Sequence, residues 1–207
     1  MKQFGFLLIC CVIIFFCSCR NDILVTQKQY FPDQVGDNWT YRISGMNDGT
    51  IEVIIVGGGK LPNGDSASLW QYTYHYTNQT SIDTVWVSIT GNDVSIFDNP
   101  RYTVPGTMPF EKMHYNLPLI VGNSWHTNGM YGDTTKVLNK VNVNVPGGTF
   151  NDVFQLSKVR GYIVNTWAKD TIYFKEQIGL VKFSQNEFDL GPVMGNGVWE
   201  LESYHIQ

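Results

Sequence analysis

Four histidines (His75, His114, His126 and His205), eighteen acidic side chains and four cysteines are the groups in this 207-residue chain that could carry acid–base, nucleophilic or metal chemistry. Catalysis requires such groups to converge. Metal sites declare themselves through H-E-x-x-H, paired-cysteine or EF-hand spacings; none occurs, so no metal and no cofactor is expected. Gly57-Gly58-Gly59 lies between β-patterned segments, with no helix behind it to aim at a phosphate. Spacing alone does not rule on a serine–histidine–acid set, because triads assemble from distant parts of a chain. The nearest local imitation, Gly122-Asn123-Ser124-Trp125-His126, lacks the second glycine of a nucleophile elbow. Asp93 with Asp98, or Glu200 with Glu202, could be set against glycoside chemistry. Charge on a solvated strand face explains those pairs more simply. No catalytic residue is expected, and the chain reads as a non-enzyme.

The aromatic residues make a stronger case. Trp70, Tyr72, Tyr74 and Tyr76 alternate with Gln71, Thr73 and His75, so in a strand all four rings share one face. Turned inward, they form core or the wall of an apolar cavity. Turned outward, they would stack on sugar faces, since an unused patch of this size is an aggregation hazard. Buried tyrosine hydroxyls need partners, which makes tyrosine an uneconomical choice for plain core. This stripe is the candidate ligand face.

The cysteines point to location. Cys10, Cys11, Cys17 and Cys19 all fall within the first nineteen residues, and none follows. The exported part therefore has no disulfide framework. Lys2 precedes a continuous apolar run from Phe4 to Cys17, shorter than the roughly 20 residues a spanning helix needs; this is a signal-peptide pattern. Ser18 before Cys19 resembles the lipobox of bacterial lipoproteins, although Phe16 and Cys17 stand where aliphatic and small residues are commoner. The resemblance implies cleavage after residue 18, lipidation of Cys19 and attachment to a membrane, most simply the outer membrane. Residues 19–30 then form the lipidated cysteine and a polar tether. A net charge of −4 leaves no electrostatic basis for nucleic-acid binding.

Self-similarity organises the remainder. Phe31-Pro32-Asp33-Gln34-Val35-Gly36-Asp37-Asn38-Trp39 returns 86 residues later as Leu117-Pro118-Leu119-Ile120-Val121-Gly122-Asn123-Ser124-Trp125. Asp83-Thr84-Val85-Trp86-Val87 returns as Asp170-Thr171-Ile172-Tyr173-Phe174, and Val94 to Phe97 as Leu180 to Phe183. Two related halves follow, 31–115 and 116–207, the second ending in an additional strand. The repeated unit predicts a structural corner. Pro32 and Pro118 fix φ, Gly36 and Gly122 support a tight turn, and Trp39 and Trp125 open a strand with a large apolar surface. Period-two alternation runs through Ile51/Val53/Ile55, Val85/Val87/Ile89, Val141/Val143/Val145 and Trp199/Leu201, which is the strand signature. Asn63-Gly64-Asp65, Gly91-Asn92-Asp93 and Pro146-Gly147-Gly148 are turn signals; the last suits a type II turn with glycine third. The fold class is all-β and antiparallel, as a β-sandwich or a curved half-barrel.

The corner P-x-x-V-G-[DN]-x-W, the run Val143-Asn144-Val145-Pro146-Gly147-Gly148-Thr149-Phe150-Asn151-Asp152-Val153 and the segment Ile178-Gly179-Leu180-Val181-Lys182 resemble small secreted β-rich lipoproteins common in Bacteroidota. That resemblance brings no catalytic residues with it. It implies an envelope lipoprotein, with an apolar or amphiphilic ligand on a curved β-sheet as the leading expectation. The alternative is a surface glycan-binding module or a scaffold subunit of an envelope complex. In that family, acidic residues after the lipidated cysteine direct export to the surface; Cys19-Arg20-Asn21-Asp22 has one acid, which leaves the membrane face open.

Overall fold

The computed structural model describes residues 31–45, 48–99, 106–127, 133–161, 167–188 and 197–207. The signal segment, Cys19 and the tether lie outside the described residues. Alternating side chains become twelve strands: β1 (Asn38–Gly45), β2 (Gly49–Lys60), β3 (Ser66–Tyr76), β4 (Gln79–Thr90), β5 (Asp93–Phe97) and β6 (Glu111–Asn116), then β7 (Ser124–His126), β8 (Thr134–Val145), β9 (Gly148–Gly161), β10 (Trp167–Lys175), β11 (Gly179–Phe188) and β12 (Gly197–His205). All belong to one antiparallel sheet, in the order β6-β5-β4-β3-β2-β1-β12-β11-β10-β9-β8-β7.

That order is two meanders, β1–β6 and β7–β12, joined where the first strand pairs with the last, from Asn38↔His205 to Gly45↔Gly197. The strands β6 and β7, neighbours in sequence, are the sheet edges. The sheet curls until these edges meet, and the Trp125 indole N–H donates to the His114 carbonyl across them at 2.6 Å. Phe31 lies inside, with its ring 5.1 Å from Tyr115 on β6 and 4.9 Å from Phe174 on β10. The result is a single, nearly closed barrel-like sheet. Of the two expected architectures the curved sheet is found and the two-sheet sandwich is not.

Inward positions hold the core. Ile51 and Ile55 on β2, Val87 on β4, Ile172 on β10 and Leu201 on β12 are at most 1% exposed, each contributing about 1.5–3 kcal/mol by leaving water. A smaller cluster of Leu61, Ala67 and Phe97, with Trp86 against it, lies apart from this core. The glycine run is not a linker between strands. Gly57, Gly58 and Gly59 lie within β2 beside a register shift, and a Cβ on Gly59 would meet the Trp86 ring at 2.8 Å. Small residues let that ring cover the strand.

Both corners have the same hydrogen bonding. Gly36 and Gly122 adopt φ of +98° and +94°. The Gly36 N–H donates to Ile55 O and the Asp37 N–H to Gln34 O, and the Ile55 N–H returns to Asp37 O. In the second half the Gly122 N–H donates to Val137 O, the Asn123 N–H to Ile120 O, and the Val137 N–H to Asn123 O. The hairpin after β8 departs from the type II expectation: positive φ falls on Gly148 (+133°) rather than on Gly147. Gly147 is needed for another reason. Its N–H donates to Leu201 O at 2.8 Å, and a Cβ there would stand 3.0 Å from the Leu201 and Glu202 carbonyl oxygens.

The first corner carries a contact that the second lacks among the described residues. Asp37, fully buried, accepts from the backbone N–H of Gln34 (3.0 Å) and of the C-terminal Gln207 (2.9 Å), tying the end of the chain to its first corner. Asp37→Ala removes the charged acceptor of two part-buried N–H groups and should cost about 1–3 kcal/mol in urea unfolding, with Asp37→Asn losing roughly half as much. Equal stability of wild type and the alanine variant would show that the latch contributes nothing.

Candidate functional site

The aromatic stripe faces inward. Trp70 is buried and stacked on Trp39 with centroids 5.0 Å apart, and Tyr72, Tyr74 and Tyr76 continue along β3 in successive stacked contacts of 6.4 and 6.0 Å. It therefore presents no outward platform for sugars. Trp70, Tyr72 and Tyr74 instead wall a cavity of about 230 Å³, whose floor is Phe31, Trp39 and Phe174 and whose opposite wall includes Phe183 and Trp199. Tyr76 packs against the core without lining that space. Apart from the main chain and tyrosine hydroxyls, the polar lining is one carboxylate and one ammonium, Asp83 and Lys112. Both side chains are more than 40% exposed, so they mark the mouth.

Size decides what the cavity can hold. An apolar void of about 150 Å³ takes benzene, and drug-sized ligands use roughly 300–1,000 Å³. The enclosed space suits a ring or a short aliphatic segment; a membrane acyl chain would have to extend out through the mouth. Burial governs the tyrosines around it. Desolvation pushes the phenols of Tyr41, Tyr72 and Tyr115 well above the ordinary tyrosine value, and that of Tyr74 up to about 12. All four are neutral hydroxyls at any physiological pH, and the Tyr41 hydroxyl donates to Leu180 O at 3.0 Å.

The second half places different chemistry at the matching positions. Cross-strand, Tyr72 lies opposite Asp83 and Lys158 opposite Asp170. Trp70, Tyr72 and Tyr74 thus correspond, 86 residues on, to Leu156, Lys158 and Arg160. Lys158, only 2% exposed, donates to the Lys112 carbonyl at 2.6 Å and lies 3.1 Å from Asp133. Arg160 grips Asp170 with two parallel bonds of 3.1 Å each, a charge-assisted bidentate pair.

A second concavity, of about 700 Å³, is lined by residues of β4, β5 and β6 and by the segment from Met108 to Phe110. At its base the His114 Nε2 lies 3.1 Å from Asp93 Oδ1, and Nδ1 lies 3.1 Å from both Glu111 Oε1 and Ser95 Oγ. Asn116 donates to the same Asp93 oxygen at 3.2 Å. The Glu111 hydrogen bond, helped by the Glu111 and Asp93 charges, lifts His114 above the usual imidazole range despite partial burial. An imidazolium donates from both nitrogens to the two carboxylates. Ser95 then faces a donating nitrogen instead of an accepting one, which is the wrong arrangement for an activated nucleophile.

The other chemically interesting residues of the sequence are dispersed. His126 bonds Thr134 at 3.1 Å and Ser124 is exposed on the short β7. Glu200 pairs with Lys182 at 2.6 Å and Glu202 with Arg42 at 2.8 Å, while Asp98 lies 2.5 Å from Lys112. No group of three or more histidine, cysteine, aspartate or glutamate side chains among the described residues is arranged to hold a metal ion. The His114 cluster was not singled out by sequence; Asp93 was read as part of a turn, whereas it opens β5 two residues before Ser95.

Two solved structures share this architecture. An exported-protein candidate with a YmcC-like fold from Bacteroides fragilis matches with a TM-score of 0.57 and 13% identity, over 86% of this chain and 99% of that one. A lipoprotein candidate from Parabacteroides distasonis matches with a TM-score of 0.50 and 12% identity, over the same shares. At these identities the likeness is one of fold. No protein-family model and no curated protein sequence matches the chain.

The His114 arrangement has a pH signature. A folded-state value raised above the unfolded one, about 6.5, gives stabilisation that is complete below the unfolded value and lost as pH rises through the folded one. Wild type should exceed His114→Asn in unfolding free energy at roughly pH 5.5, with the margin shrinking toward roughly pH 8.5. A margin that widens with pH would mean the ring is held neutral.

Proposed function

We propose that the chain is a lipid-anchored envelope lipoprotein that binds a small apolar or amphiphilic ligand inside its curled sheet, without catalysing a reaction. The observation that carries this reading is the cavity of about 230 Å³, walled by aromatic rings and charged only at its mouth. Concave, mostly apolar spaces with a few placed polar groups are the usual form of small-molecule sites. The anchor rests on Ser18-Cys19 after the apolar run, and on the exported and lipoprotein descriptions of the two proteins that share the fold. The outer membrane is the simplest destination. A non-enzymatic role agrees with His114 lying between two carboxylates instead of activating Ser95.

A glycan-binding role finds support in a different place from the aromatic stripe. The outer groove combines Phe110 and Met108, each 39% exposed, with Asn63, Thr90 and Asp93, a mixture of apolar faces and hydrogen-bonding groups suited to sugars.

Val85, on β4 opposite Trp70, lines the cavity and is 5% exposed. Val85→Phe should fill the space, weakening 1-hexanol binding, read by tryptophan fluorescence, about ten-fold or more while leaving far-UV circular dichroism unchanged. Unaltered hexanol affinity would count against the cavity as the site. Cys19→Ser in the full-length chain should move the protein from the detergent-rich to the aqueous phase of a Triton X-114 partition, since acyl chains supply about 0.8 kcal/mol per buried CH₂. A variant that stays in the detergent phase would remove Cys19 as the anchor.

A further inference from the structure

The two halves place different partners around one carboxylate. In the second half Asp170, on β10, holds the Arg160 guanidinium through two 3.1 Å bonds and faces Lys158 across the strand pair. In the first half the matching carboxylate is Asp83, on β4, and the positions matching Lys158 and Arg160 hold Tyr72 and Tyr74. The built-in cations of one copy are replaced by aromatic rings in the other, and two of those rings, Tyr72 and Tyr74, line the cavity.

The rim leaves that carboxylate underused. Asp83 Oδ1 accepts from the Thr84 N–H at 2.8 Å, while Oδ2 has Lys112 only at 4.0 Å. Lys112 is engaged elsewhere, 2.5 Å from Asp98. Asp98, which is not part of the lining, thus pairs with Lys112 and leaves Asp83 as the lining charge without a close counter-ion among the described residues. Behind it, Tyr74 meets Trp199 edge-on at 6.4 Å and Phe183 packs against the same indole at 5.6 Å. Aromatic faces attract cations through their quadrupole, by about 0.5–2 kcal/mol per ring depending on solvation. An anionic ligand would have to detach Lys112 from Asp98 and would meet the electron-rich ring faces. A cation would meet neither obstacle.

We propose that the cavity selects an organic cation, with an ammonium group at the mouth held by Asp83 and the rings of Tyr72, Tyr74 and Trp199, and its apolar part inside. This rests on the reading of the cavity as a binding site, and it narrows the ligand class to amine-headed amphiphiles of modest size. Arg160 on Asp170 shows, within the same chain, how a cation sits against this carboxylate position.

The test compares hexyltrimethylammonium, 1-hexanol and hexanoate by isothermal titration near neutral pH, on wild type, Asp83→Asn and Lys112→Gln. The ammonium should bind about ten-fold tighter than the alcohol, and hexanoate weaker than both. Asp83→Asn should bring the ammonium down to the alcohol's affinity, with an unchanged far-UV circular dichroism spectrum and urea midpoint reporting that the variant is folded. Lys112→Gln should strengthen ammonium binding. If hexanol binds but the ammonium binds no tighter, or keeps its advantage in Asp83→Asn, the cationic assignment is overturned and the cavity reading stands. If none of the three binds, both fall.

Discussion

The ladder between β1 and β12 holds the two meanders in one sheet, and the interior exists only because that ladder is made. Without it each half would be an open sheet with one apolar face in water, and an isolated sheet edge is a template for wrong pairing. Side chains reinforce the junction from within. The Trp39 indole N–H reaches Ile178 O at 2.7 Å and the Tyr41 hydroxyl reaches Leu180 O at 3.0 Å, both crossing from the first half to the second. The repeated tryptophan, Trp125, crosses the other way to His114 at the opposite edge. The duplicated corner thus supplies one indole to each line along which the sheet must close.

That closure turns a stripe of rings into a container. Sheet curvature brings β3 toward β12, so that Tyr74 reaches Trp199, whose ring also meets its cross-strand partner Phe183 on β11. Desolvation then suppresses phenol ionisation along the stripe. Neutral tyrosines keep electron-rich faces and offer hydroxyls as donors or acceptors. The same arrangement of aliphatic side chains would make a tighter core with nothing to recognise a polar head group.

Much of this was legible in the residues themselves. The offset of 86 and the alternation at Ile51/Val53/Ile55 or Trp70 to Tyr76 encode strands and a duplicated corner, because φ-restricted proline, permissive glycine and period-two burial are local properties. Which way the stripe points is not local. It depends on the pairing of Asn38 with His205, which lies across nearly the whole chain and leaves no pattern within any one strand. The choice between sandwich and barrel was obscure for the same reason. The His114 cluster needed β5 and β6 in register, with Ser95 opposite His114, and the residues between those strands give no clue to that register. Gly57 to Gly59 misled because glycine inside a strand is uncommon; the Trp86 ring over Gly59 explains that residue, and nothing packed against Gly57 explains the other end of the run.

The unequal halves also bear on why the cavity persists. An empty, dry void of about 230 Å³ would cost on the order of 5 kcal/mol at about 24 cal/mol per Å³, and water entering through the mouth lowers that figure without abolishing it. Such a sum is comparable to the whole stability of many domains. The second half is built differently: Lys158 and Arg160 stand at the matching positions and pair with Asp133 and Asp170. That solution carries its own burden, since ions taken out of water must recover their desolvation through good geometry. Thr127 and Thr135, at the same end of β8 as Asp133, each bury a hydroxyl without a hydrogen-bond partner. One copy therefore carries buried ion pairs where the other carries rings around a cavity. The ion pairs complete the second half with groups of the chain itself, whereas the rings of the first leave apolar surface facing the mouth.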